Sequence, residues 1–114
     1  MTRGMQTIIY PVTDTAQAKR VYSALLGADP STDEAYYVAF EVGGQHVGLD
    51  PNGHSHGMTG PVGYWHVGDM EAALASLVAA GAEVDQGPRD VGGGRLIATV
   101  KDRDGNVTGL IQDR

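Results

Sequence analysis

The stretch Val62-Gly-Tyr-Trp-His-Val-Gly-Asp-Met-Glu-Ala-Ala-Leu-Ala-Ser-Leu-Val-Ala-Ala-Gly-Ala82 changes its hydrophobic period partway along, and that change decides the fold. Val62 to Val67 is a short run of β-branched and aromatic residues suited to a pleated surface. From Met70 the apolar residues recur as Met70, Ala73, Leu74, Leu77 and Val78, the spacing of a helix that lays one face on a sheet. Asp69 is placed to cap the start of that helix and Gly81 to stop it.

The same strand-to-helix joint occurs once more upstream. Thr7 to Val12 form a strand-like run, and a helix follows from Ala18 with Val21, Tyr22, Leu25 and Leu26 on one face, capped by Asp14 and ended by Gly27. Val12-Thr-Asp14 aligns with Val67-Gly-Asp69 at an offset of 55, and Gly27-Ala28 with Gly81-Ala82 at an offset of 54. The chain reads as a duplication. After the first helix come Tyr36 to Val42, a Gly43-Gly44 turn and Gln45 to Asp50. After the second come Glu83 to Val91, Arg95 to Lys101, the turn Asp104-Gly-Asn106 and Val107 to Gln112. The glycine-rich and Asp-Gly-Asn turns tolerate positive φ cheaply and so predict antiparallel hairpins. Gly48-Leu49 and Gly109-Leu110 end the two halves in matching pairs. An extra strand around Asp29 to Thr32 completes the first half as βαβββ. The expectation is an α+β fold with units over about 5–50 and 62–112, joined by the aperiodic, glycine-rich linker 51–61.

Composition narrows the function classes. The chain has 114 residues, enough for one domain with its own core. Eight Lys and Arg against 14 Asp and Glu give a net charge of -6, which argues against nucleic-acid binding. There is no cysteine, hence no disulfide, no thiolate nucleophile and no zinc-cysteine site. The N-terminal residues lack the pattern of a secretory signal and no apolar run could span a bilayer, so the expectation is a cytoplasmic protein with no membrane contact. Phosphate-binding glycine motifs and a G-x-S-x-G elbow are absent. Gly92-Gly-Gly94 reads as a hairpin turn and His54 and His56 as solvent-exposed linker residues.

The duplicated V-x-D joint and the terminal Asp102-Arg-Asp-Gly-Asn-Val-Thr-Gly-Leu-Ile-Gln112 resemble the vicinal oxygen chelate superfamily of glyoxalase I, extradiol dioxygenases and bleomycin-resistance proteins. The family's motif there is D-P-D-G-N-x-x-E-L-x-Q, so Arg103 replaces Pro and Gly109 replaces Glu. The resemblance spans about residues 5–112. It implies two tandem βαβββ units whose mixed sheets curl into a cup with one helix outside each, and homodimers. In metal-dependent members the first and last strands of each unit supply the ligands. Those positions carry over to Thr7, Gly48, Val62 and Gly109, of which none is a normal metal ligand. The resemblance therefore implies a cup without the inherited metal and without any cofactor, with the two glycines clearing room in it.

Strand alternation selects the side chains on the cup face. Thr7 and Ile9 belong to it in the first strand, His46 and Asp50 beside Gly48, and Tyr64 and His66 in the second half, with Val107 and Ile111 beside Gly109. Of the adjacent Tyr36 and Tyr37, one faces the cup. Trp65 falls on the helix side and is expected in the core. A lone strand His is more often an internally bonded side chain than a functional one, and a substitute metal site from His46, His66 and Asp50 would require all three to converge.

Three functions compete. The first is a binding protein that holds a small organic ligand, antibiotic-like or metabolite-like, among His46, Asp50, Tyr64, His66, Tyr36, Tyr37, Thr7 and Ile9. The second is an isomerase or lyase without metal, using His46 or His66 as general base and Tyr64 as hydrogen-bond donor; a divalent-metal lyase or dioxygenase is its metal-dependent counterpart. The third is a vestigial cup whose role is contact with another protein.

Overall fold

The computed structural model describes residues 2–113, and contacts divide them into two compact units: residues 6–62, and residues 2–5 together with 63–113. The sequence puts the break in the linker; the first residues of the chain instead pack with the second half.

In the N-terminal unit, strand β1 (Thr2–Pro11) leads into helix α1 (Thr15–Leu26), followed by β2 (Thr32–Glu34), β3 (Tyr37–Val42) and β4 (Gln45–Asp50). The strand order is β2-β3-β4-β1, with β1 parallel to β4 and the other pairs antiparallel. In the C-terminal unit β5 (Val62–Val67) leads into α2 (Met70–Ala79), then β6 (Glu83–Asp90), β7 (Leu96–Lys101) and β8 (Val107–Gln112), in the order β5-β8-β7-β6 with β5 parallel to β8. The two units repeat one βαβββ plan, so the α+β reading of a duplicated chain holds.

Both helices start as the sequence predicts. The Asp14 carboxylate accepts from Gln17 N at 3.0 Å and the Asp69 carboxylate from Ala72 N at 3.1 Å, each satisfying an amide of the first turn. Gly27 ends α1 in the left-handed region at φ 64°. What each helix buries is narrower than the full periodic face. Ala18, Tyr22 and Leu26 of α1 pack on Ile8, Tyr10, Val38, Phe40, Val47 and Leu49, while Val21 and Leu25 stand exposed, Leu25 at 72%. In the second unit Met70, Ala73, Leu74 and Leu77 cover Val67, Leu96, Ala98 and Leu110, and Val78 is exposed. A single helix over a sheet touches it along one i, i+4 stripe, and flanking apolar positions are left at the rim.

Two further expectations are corrected, one at the extra strand and one at Trp65. The short extra strand is Thr32–Glu34 rather than Asp29 to Thr32, because Pro30 has no amide to donate and pairing begins with Ser31 N on Ala39 O at 2.8 Å. The linker holds a 3-10 turn at His54–His56. Trp65 has the helix-side parity but stands outside the core cluster under α2 and is 36% exposed.

The last hairpin is closed by Asp102. Its carboxylate accepts from the amides of Asp104 and Asn106 and from Asn106 Nδ2, each at 2.9 Å, and the Asn106 side-chain bond is the main cause holding its pKa below the usual carboxylate value. Tyr22, whose ring lies 4.7 Å from that of Tyr10 and tilted 37° to it, has its hydroxyl pKa raised by burial first and by Tyr10 second.

Candidate functional site

Each sheet has one face under its helix and one turned away, and cross-strand register assigns residues to the second. In the N-terminal unit Thr7 pairs with His46, Ile9 with Gly48, Ala39 with Gly48, and Glu41 with His46. Directly opposed residues share a face, so Thr7, Ile9, Ala39, Glu41, His46 and Gly48 lie together, with Tyr37 two residues along from Ala39. Tyr37 is therefore the tyrosine of this face. Tyr36 precedes β3, is 67% exposed, and does not join it.

A hydrogen-bonded chain runs across that face. The Tyr37 hydroxyl lies 2.8 Å from His46 Nε2, and His46 Nδ1 is in close contact with Glu41 Oε1. A carboxylate can only accept, so Nδ1 carries the proton and donates to Glu41; Nε2 then accepts from the Tyr37 hydroxyl. The phenol and imidazole rings also stack, 6.0 Å apart and 17° from parallel. Glu41 is absent from the sequence-derived set, although it was within reach: counting outward from the Gly43-Gly44 turn pairs Val42 with Gln45 and Glu41 with His46.

Tyr37 also occupies the room over Gly48. A Cβ at Gly48 would stand 2.6 Å from Tyr37 Cζ and 2.7 Å from Ile9 Cδ1, separations no real side chain tolerates. The C-terminal unit repeats the arrangement with a different strand. Tyr64 opposes Gly109 directly, and a Cβ there would meet Tyr64 Cε2 at 2.6 Å. The expectation that two glycines open the cup is thus corrected: in each unit a tyrosine ring has taken the space.

Other predicted residues lie as follows. Thr7 and Tyr64 are buried, and Ile9 is half-buried against Gly48. Asp50 serves the turn after β4, accepting from Asn52 N at 2.8 Å. His66 is buried on the face of Tyr64 and Gly109, where its Nδ1 donates to Asp113 Oδ2 at 3.2 Å, and Arg95 Nε holds the other oxygen at 2.8 Å. That chain anchors the residue just after β8, whose last residue, Gln112, accepts through Oε1 from Met70 N at 2.6 Å at the start of α2.

The residues do not fit the metal implied by the resemblance. Thr7, Gly48, Val62 and Gly109 offer one hydroxyl among four positions, and the tyrosines fill the space over both glycines. Among the described residues no three His, Asp or Glu side chains are grouped to hold a metal ion. Neither helix among them is long and apolar enough to cross a membrane.

Comparison with known proteins agrees with the fold. The model of the Glyoxalase/Bleomycin resistance protein/Dioxygenase superfamily matches residues 4–110. No curated protein matches significantly. Among solved structures, one described as an NAD-dependent benzaldehyde dehydrogenase from Legionella pneumophila is similar with TM-score 0.75 and 14% identity, over 95% of this chain and 98% of that one. The Mn(II)-bound glyoxalase from Novosphingobium aromaticivorans matches with TM-score 0.73 and 20% identity, covering 98% of this chain and 39% of that one. Methylmalonyl-CoA epimerase from Mycobacterium tuberculosis matches with TM-score 0.68 and 16% identity, over 99% and 89%. Identities this low establish the shared fold alone, and the three names describe different chemistries on it.

Proposed function

The chain belongs to the glyoxalase/bleomycin resistance protein/dioxygenase superfamily, and from that premise we propose that it binds a small organic ligand without using the superfamily's metal. The observation that carries this reading is the Tyr37–His46–Glu41 chain, set over Gly48 on the face away from α1. A phenol and an imidazole held in fixed orientation by a carboxylate supply aromatic surface and directional hydrogen bonding, the equipment by which a site recognises an organic molecule. An acidic chain favours a neutral or cationic ligand through its long-range field. Homodimers are proposed on the example of the superfamily, with light scattering at twice 11.9 kDa the expected result.

Native mass spectrometry with metal analysis of one preparation tests the proposal. A metal-free protein with a co-purified small molecule, lost in His46→Gln, is the expected outcome. Stoichiometric bound metal would overturn it and return the chain to the metal-dependent lyases and dioxygenases.

The same observation favours one other reading, an isomerase or lyase without metal. Glu41 fixes His46 in the tautomer whose Nε2 accepts from the Tyr37 hydroxyl, so His46 would act as base through Tyr37, whose phenol passes its proton to Nε2 as it takes one from the ligand. A bell-shaped pH dependence of turnover that disappears in His46→Gln would establish it; full turnover in that variant would exclude His46 as the base.

A further inference from the structure

The geometry points to a second recognition site, within the C-terminal unit: a narrow cleft in which Arg89, Gln86 and Tyr64 take a carboxylate group of an organic ligand. The cleft is lined by Tyr64, Gln86, Arg89, Ile97 and Thr99, with Gly87 leaving its wall open, and it admits little more than a water-sized group.

Its construction depends on two irregularities in β6. Eight residues, Glu83–Asp90, run against the six of β7, Leu96–Lys101, and the register shifts between Val84 and Gln86 and again between Gln86 and Arg89. In a regular strand Gln86 and Arg89, three apart, would point to opposite faces. The extra residue between them makes Gln86 oppose Thr99 and Arg89 oppose Ile97, and those partners, two apart on β7, share one face. Thr99 in turn opposes Gly109, over which the Tyr64 ring lies. The bulge therefore turns a guanidinium and an amide toward the same side as a phenol.

The charge pattern agrees. Arg95 pairs with Asp113 and Lys101 with Asp85, whereas Arg89, like Arg3, Arg20 and Arg103, has no ion-pair partner among the described residues, and of these four it alone lines the cleft. Of the acidic residues near it along the strand, the adjacent Asp90 accepts from Gly92 N at 2.7 Å, and Asp85 is engaged by the Thr99 hydroxyl at 2.9 Å and by Lys101. An arginine fork kept unpaired beside an amide matches the two oxygens of a planar carboxylate. This site does not depend on Tyr37 or His46, so it can stand or fall separately from the function proposed above.

The test is an NMR titration of the full-length protein with three probes, benzoate, benzamide and inorganic phosphate. The expected result is saturable shifts at the Gln86 side-chain amide and Arg89 Nε with benzoate, at least about tenfold weaker in Arg89→Gln and intermediate in Arg89→Lys. Arg103→Gln, which changes the same charge in the distant β7–β8 turn, should leave benzoate binding unchanged. Arg89 is exposed, so its variants should give otherwise unaltered spectra. Absence of saturable shifts, equal binding of benzoate to Arg89→Gln, or binding of benzamide or phosphate as strong as that of benzoate would each overturn the proposal.

Discussion

Glycine is needed at 48 and at 109 because a ring stands where a side chain would begin. Adding a methyl at Gly109 drives Cβ into the Tyr64 ring, which is buried and cannot swing aside freely. Gly109→Ala should therefore lose about 1–3 kcal/mol in urea unfolding, the usual cost of overpacking. The same substitution made in a Tyr64→Ala background should lose distinctly less, since the two residues are in contact. Equal losses in both backgrounds would mean that the ring is not the obstacle. Sequence alone showed the two missing side chains but not their replacements. Tyr37 and Tyr64 come from different strands relative to their glycines, so no single spacing announces both. Asp102 gives a prediction in pH. Its folded pKa lies below the ordinary carboxylate value, so its contribution is present above the unfolded value and is lost as pH falls through the folded one. The gap in urea midpoint between the protein and Asp102→Asn should be widest near neutral pH and close in acid; a gap that is constant with pH would deny the carboxylate this role.

Elements were legible to different depths. The helices were marked twice over, by period and by cap, and both caps form as read. Asp69→Ala should lower stability by about 1 kcal/mol, while Asp69→Asn should retain most of it, because an amide oxygen can still accept from Ala72 N. Thermal melts of the two variants separate capping from mere charge: equal losses would point to charge. Their buried stripe was less legible, since Val21, Leu25 and Val78 satisfy the periodicity yet remain exposed. Strand parity placed His46, Tyr64 and His66 on the faces away from the helices, and the hairpin turn contained the information that finds Glu41. The bulges of β6 left no such trace. All eight of its residues are exposed, so no buried period fixed which way Gln86 and Arg89 would turn.

Across the whole molecule, duplication was the most legible property because it is repeated information: two joints, two helix stops and two glycine–leucine pairs agree on one plan. The chemistry was less so, because a metal centre in this superfamily draws on the ends of both halves and is lost when those positions change together. Thr7, Gly48, Val62 and Gly109 lack the donors, and the rings of Tyr37 and Tyr64 hold the space. A ligand that binds only the folded state stabilises it by about 2.7 kcal/mol at a hundredfold excess over Kd. For a domain near this size each 1 kcal/mol raises Tm by roughly 4–8 °C. A retained metal site would thus show as a rise of about 10 °C or more between EDTA and saturating Mn(II), Ni(II) or Zn(II). The expected outcome is melting curves that coincide within about 1 °C under all four conditions. A large rise with any one ion would show that the chain assembles a centre from other residues and would put its metal-free chemistry aside.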